Sequence, residues 1–195
     1  MSKVIGITGG VGCGKSTVLK LLQEKLDAFV IEADKVGHIV MKKGMPAYYK
    51  VVNLFGNDVV DNSGEIDRQK IAEKIFYNKE LLSKQNAIIH PAVKSYILDK
   101  INENKDKEYV FVEAALLIEA GYKEFLDEVW YIYASEDTRK NRLIQNRGYS
   151  TEKIEAIFSN QLQESEFKKS CDRILNNNGS INELENSIDE AINSL

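Results

Sequence analysis

The sequence predicts an α/β fold, a central parallel sheet of about five strands with helices on both faces, and three observations predict it. Short apolar runs recur at Lys3–Thr8 and at residues 28–33, 108–112 and 128–134, with a weaker fifth at 172–175. The stretches between them carry helical patterns, so strands and helices alternate, which favours a parallel sheet. The first run leads directly into a glycine-rich turn that opens a helix. Right-handed crossovers then set the C-terminal end of every strand along one edge of the sheet, where open sheets bind their ligands.

The segment after the first strand reads Gly9-Gly10-Val11-Gly12-Cys13-Gly14-Lys15-Ser16-Thr17 and fits G-x-x-x-x-G-K-[ST]. Its position between a strand and a helix, predicted here over 17–26, separates a phosphate-binding loop from a glycine-rich turn without a ligand. Glycines allow successive backbone N–H groups to point at phosphate oxygens, and the helix N-terminus adds positive potential. Residues 10 to 17 are therefore expected to hold ATP, with Lys15 on the β- and γ-phosphates and the Ser16 hydroxyl on Mg²⁺. The fold expected is the three-layer P-loop NTPase fold. Cys13 occupies an unrestricted position of the loop, where the favoured reading is a small side chain that is simply tolerated; the rival reading is that the nearby helix N-terminus lowers its thiol pKa and makes it sensitive to oxidation.

The second strand ends in Glu32-Ala33-Asp34. Alternation puts the carboxylates of residues 32 and 34 on one side. A kinase acting on an alcohol needs a carboxylate to orient and deprotonate the hydroxyl, and Asp34 is placed for it. The plainer reading makes Asp34 the cap of a helix starting near Lys35.

Between the second and third strands lie roughly 70 residues of mostly helical pattern, far longer than an ordinary crossover. We expect one kinase domain over 1–195, with a helical substrate-binding insertion at about 37–107 and a helical lid at about 136–169. The insertion includes Leu54-Phe55-Gly56, a turn at Asp61-Asn62-Ser63-Gly64, and His90-Pro91; the lid has two helices joined around Arg147-Gly148-Tyr149 and carries Arg139, Arg142 and Arg147. The chain closes on a helix with Ser180 and Glu183 as a capping box and an apolar stripe of Leu184, Ile188, Ala191, Ile192 and Leu195. That stripe is core.

Apolar residues form 43% and charged residues 29% of the chain, with a net charge of −4 and both signs interspersed. This balance disfavours long disorder and a broad nucleic-acid surface. No apolar run approaches the ~20 residues that span a bilayer. Cys13 and Cys171 form neither a disulfide framework nor a metal cluster, as suits a reducing cytoplasm. A monomer is expected.

Over nearly its whole length the chain resembles bacterial dephospho-coenzyme A kinases. The resemblance rests on Ile5 to Gly12 before the lysine, on Glu32-Ala33-Asp34 for D-A-D, and on Leu54-Phe55-Gly56. It continues through Gly64-Glu65-Ile66-Asp67-Arg68, Phe76, His90-Pro91, Leu116-Leu117-Ile118-Glu119, Gln161 and Asn177 with Gly179. It implies that Asp34 is the base for a ribose 3′-hydroxyl, that Arg68, His90, Leu116 and Glu119 line the site of dephospho-coenzyme A, and that Asn177 lies on the nucleotide side. For Arg68 and His90 the residues alone allow a surface ion pair and a buried ring beside a proline-bounded helix.

Three positions depart from the family pattern. Glu32 replaces an aspartate, Glu113-Ala114-Ala115-Leu116-Leu117 stands for D-x-P-L-L, and Arg142 to Arg147 is one residue longer than the usual R-L-x-x-R. Glu113 thereby becomes a metal-side carboxylate. Arg142 and Arg147 are expected on the phosphates, with Arg142 joining Lys15 and Asp34 in catalysis.

Two rivals remain on sequence grounds. Another small-molecule P-loop kinase, acting on a nucleotide or a sugar-like alcohol, shares everything but the acceptor-site series. A GTPase switch would need N-K-x-D, and Asn78-Lys79-Glu80-Leu81 ends in leucine.

Overall fold

The computed structural model describes residues 2–195. Its strands are β1 (Lys3–Thr8), β2 (Ala28–Glu32), β3 (Tyr109–Glu113), β4 (Glu128–Tyr133) and β5 (Arg173–Asn176). The helices are α1 (Lys15–Lys25), α2 (Ala33–Val40), α3 (Pro46–Phe55), α4 (Arg68–Ile75) and α5 (Lys79–Glu103), then α6 (Glu136–Arg147), α7 (Thr151–Ser159), α8 (Glu164–Ser170) and α9 (Ile181–Asn193). The sheet runs in the order β2-β3-β1-β4-β5. β1 pairs in parallel with both β3 and β4, and β4 with β5. Two compact units result, one running through Ile31 and again from Asn104 onward, the other Glu32–Glu103.

In the first unit the sheet is apolar on both faces, as a parallel sheet covered on both sides must be. Ile5, Ile7, Phe111, Trp130, Ile132 and Leu175 meet Val18, Leu19 and Leu22 of α1 and Leu184, Ile188 and Ala191 of α9. The capping box expected at Ser180 and Glu183 is present and starts α9. On β4, Tyr131 stacks on Phe167 of α8, ring centroids 4.8 Å apart and planes nearly parallel.

The second unit closes on a small core of Val51, Phe55, Val59 and Ile71. Pro46 opens α3, where its missing N–H costs nothing. Val60 and Ile66 bridge in antiparallel fashion around the turn at 61–64, and the Asp61 carboxylate accepts from the N–H groups of Ser63 and Glu65. Asp67 caps α4 by accepting from the N–H groups of Gln69 and Lys70.

Several boundaries differ from the sequence expectation, each for a local reason. β2 stops at Glu32 and helix begins at Ala33, so strand alternation does not carry to Asp34. Asp34 is not a cap either: Glu32 holds that position, and its carboxylate ion-pairs with Lys35 at 2.6 Å. α1 begins at Lys15, two residues early, because Gly14 at φ 95° turns the chain straight into helix. α5 passes through Pro91 without ending, so that proline bounds no helix. The segment expected as a two-helix lid has three helices, since α8 follows α7 after a short break that no glycine or proline announces.

Candidate active site

β1 ends at Thr8, and residues 9 to 14 wrap into the N-terminus of α1. The Cys13 N–H turns back to the Gly10 carbonyl at 3.1 Å, while the Thr17 and Val18 N–H groups both reach the Gly14 carbonyl. Among the described residues, the N–H groups of Val11, Gly12, Gly14 and Ser16 donate to no protein acceptor. These free donors, at the positive end of a helix, form an anion-binding concavity.

Lys15 leads α1, and its ammonium donates to the Gly9 carbonyl at 2.9 Å and lies 3.6 Å from Glu113 Oε1. Strand parity explains the pairing. Glu113 aligns with Ile7 on the β1 side and shares the strand face of Phe111, the face that α1 covers. Only 8% of Glu113 is exposed. The Ser16 hydroxyl, next to Lys15 in sequence, is exposed and has no protein partner among the described residues.

A second cluster braces the loop from outside. The Asn177 amide donates to the Cys13 carbonyl at 2.8 Å, and the Arg142 guanidinium donates to the Asn177 carbonyl at 2.9 Å and to the Cys13 carbonyl at 3.4 Å. A side chain at Gly14 would collide with the Asn177 amide, and its φ of 95° is one that only glycine adopts freely. Arg142 and Asn177 are thus brought together at the loop. Arg147 ends α6, exposed, and does not join them.

Arg139 is the site residue that the sequence reading mentions without assigning a role. Its guanidinium donates to Gln161 Oε1 at 3.0 Å and stacks over the Phe158 ring at 4.2 Å. It lies against Gly10 so closely that a Cβ there would clash with it. Spacing gave the one available signal, because residue 139 shares a helix face with residue 142. Gly10, Tyr131, Arg139, Phe158, Gln161 and Phe167 line a cavity of about 420 Å³. Burial pushes the Tyr131 phenol up to about 12, so it stays protonated and able to donate.

Cys13 removes the rival reading of an activated thiol. The side chain is 1% exposed, and burial raises its pKa more than Lys15 lowers it. The loop thiol is inert packing.

In the other unit, Asp34 sits exposed in the first turn of α2, its carboxylate without a protein hydrogen-bond partner among the described residues. Arg68 opens α4, exposed and in no ion pair there, so the surface-pair reading fails. His90 is exposed on α5, which removes the buried-ring reading. Leu116 is 53% exposed and Glu119 is exposed, both in the turns after β3, while Leu117 between them is buried. No cluster of three or more His, Cys, Asp or Glu side chains suited to a metal occurs among the described residues.

The model of one family, dephospho-CoA kinase, matches residues 3–183. A dephospho-CoA kinase of Aquifex aeolicus is 40% identical over 182 residues, 93% of this chain and 91% of the relative. One from Carboxydothermus hydrogenoformans is 36% identical over 180 residues, 91% and 87% of the two chains. Among solved structures, a Thermus thermophilus protein aligns with TM-score 0.85 at 28% identity, covering 100% of this chain and 98% of that one. The dephospho-CoA kinase of Campylobacter jejuni aligns at 0.74 and 26% identity, covering 100% and 97%. A shikimate kinase from Acinetobacter baumannii, at 12% identity and TM-score 0.54, shares the fold over 100% of this chain and 93% of its own.

Proposed function

The chain belongs to the dephospho-CoA kinase family, and from that premise we propose that it moves the γ-phosphoryl group of ATP to the ribose 3′-hydroxyl of dephospho-coenzyme A, giving coenzyme A and ADP. One observation carries the kinase chemistry: the free N–H groups of Val11, Gly12, Gly14 and Ser16 at the head of α1, with the Lys15 ammonium among them.

ATP binds with its phosphates on these amides. Lys15 turns from the Gly9 carbonyl and Glu113 to the β- and γ-phosphates. Arg142 and Asn177 hold the loop in shape through the Cys13 carbonyl. Arg139, presented at Gly10 by Gln161 and Phe158, supplies positive charge to the transferring group, and Arg147 meets the phosphates from the end of α6. Asp34 accepts the proton of the 3′-hydroxyl as its oxygen attacks the γ-phosphorus and the bond to ADP breaks. Arg68, His90, Leu116 and Glu119 receive the acceptor.

The residues present suit Mg²⁺. A free Ser16 hydroxyl and the Glu113 carboxylate are hard oxygen donors, few in number, and Mg²⁺ in phosphoryl-transfer sites keeps phosphate oxygens and waters as its other ligands. Ser16 and Glu113 would hold it. The ion supplies neutralisation of the triphosphate charge. Two free cysteines, and no helix among the described residues long and apolar enough to cross a membrane, accord with work in a reducing cytoplasm.

ADP release measured with dephospho-coenzyme A, and with nucleoside monophosphates as rival acceptors, tests the reaction. Turnover is expected with the first alone. Asp34→Asn keeps ATP affinity and loses roughly 10²- to 10⁴-fold in turnover, the range of general-base contributions. Normal turnover by Asp34→Asn would remove the base assignment.

A further inference from the structure

Leaving aromatic and sulfur side chains aside, three polar or charged residues are buried among the described residues: Thr8, Glu113 and Asn177. Asn177 braces the glycine loop and Glu113 meets Lys15, but the Thr8 hydroxyl has no part in the reaction described so far. Thr8 closes β1 and is wholly buried. Valine has nearly the same shape and would fill the position without a hydroxyl to desolvate, so the oxygen calls for a reason of its own. That oxygen donates to the Ala114 carbonyl at 2.9 Å.

The ladder between β1 and β3 explains why this carbonyl needs a donor. With Ile7 opposite Glu113, the Ala114 N–H donates to the Ile7 carbonyl at 3.1 Å. The next bond of the parallel ladder would run from the Gly9 N–H to the Ala114 carbonyl. Gly9 has by then left the strand, at φ 149°, to enter the phosphate-binding loop, and that bond is absent among the described residues. The Thr8 hydroxyl takes its place. Strand parity puts Thr8 on the face opposite Ile7, the face where Leu117 folds against Gly6, while Glu113 stands on the Lys15 side. Ala114 is therefore held at both its N–H and its carbonyl, at the point where β3 gives way to turns. Its neighbour Ala115 stands where the family pattern has a proline, so no ring stiffens the chain there.

We propose that Thr8 is a positioning residue: by holding the Ala114 carbonyl, its hydroxyl keeps the Glu113 carboxylate on station to bind Mg²⁺. The proposal rests on the reaction and the metal-side residues proposed above. In the resting site the Lys15 ammonium, 3.6 Å away, helps to hold Glu113. Lys15 leaves for the phosphates when ATP binds, so the ion pair is lost at the moment the carboxylate must be in place. The strut from Thr8 is not. Without it the Ala114 carbonyl becomes a buried acceptor with no donor, and the chain shifts to find one. Glu113 is the residue before Ala114 and shifts with it.

Two matched pairs test this. Wild type and Thr8→Val differ by the hydroxyl at constant shape; Thr8→Ser and Thr8→Ala differ by the same oxygen in a smaller side chain, and decide the matter if Thr8→Val does not fold. The Mg²⁺ concentration for half-maximal turnover should rise about tenfold or more on losing the hydroxyl in each pair, as for other groups that support a metal ligand. Thr8→Ser should stay close to wild type. Calorimetric titration of the protein with ATP gives a readout free of turnover. In EDTA the members of each pair should bind ATP alike, since the loop amides are intact; with Mg²⁺ the member lacking the hydroxyl should gain about tenfold less affinity than its partner. A purely structural role would weaken metal-free binding as well. Equal Mg²⁺ dependence within both pairs, or no gain from Mg²⁺ in wild type, would overturn the role of Thr8 and leave the reaction standing. Absence of any turnover of dephospho-coenzyme A by wild type would overturn the reaction, and the calorimetry would still decide on Thr8.

Discussion

Arg139 and Arg142 stand one turn apart on α6 and serve different partners. Arg142 spends its guanidinium on the backbone carbonyls of Cys13 and Asn177, whereas Arg139 is clamped by Gln161 and Phe158 against Gly10. Their losses should therefore separate. Arg139→Ala is expected to lower kcat by about 10²-fold or more with little change in the KM for ATP, as for removal of one charge-stabilising group. Arg142→Ala should chiefly raise the KM for ATP through a loosened loop. Parallel kinetics of the two variants, with Arg139→Lys expected to recover part of kcat, decides the assignment; equal effects on both parameters in both variants would refute it. Lys15 and its loop were legible because their chemistry is local, written in nine consecutive residues. Arg139 was not, because its role arises from a close approach of Gly10, α6 and the residues after α7, which are far apart in the chain. Cys13 left two readings open for a related reason: the pull of a helix end can be read from sequence, but the burial that outweighs it cannot.

α4 shows how one side chain sets an element. Asp67 meets the two otherwise orphaned N–H groups of Gln69 and Lys70, and the helix it starts gives Ile71 to the small core with Val51, Phe55 and Val59. Asp67→Ala should cost about 1 kcal/mol, the usual value of such a cap, read as a lower urea midpoint; Asp67→Asn should keep most of it. An equal loss in both variants would mean that charge, not the cap, matters. The closing helix α9 was legible in full, since capping box and stripe reinforce each other. α5 was not: Pro91 reads locally as a boundary, and packing on both sides of it holds the helix through. Asp34 reads as the end of a strand, yet the chain has already turned into α2 one residue earlier.

The whole molecule carries a dependence on alkaline pH. Burial, helped by Asp172, pushes the Cys171 thiol from 9.0 up to about 11, and burial, helped by Glu164, pushes the Tyr131 phenol from 10.0 up to about 12. The folded chain keeps protons that the unfolded chain releases, so this stability is full below pH 9 and drains away as pH rises through about 11 and then 12. Urea midpoints at pH 8, 10 and 11 should fall in order, and Cys171→Ala should flatten the fall between 9 and 11. A flat profile in wild type would contradict the burial of both groups. At this scale the sheet was predictable from alternation of strands and helices, while the order β2-β3-β1-β4-β5 needed the structure. One connection within it, the amide of Asn177 on the carbonyl of Cys13, joins two positions separated by 164 residues. A chain emerging from the ribosome therefore possesses its glycine loop well before the strut that shapes it, which follows 164 residues later. Nucleotide capture then waits on Asn177, and a polypeptide broken off before that residue would carry the motif without the grip.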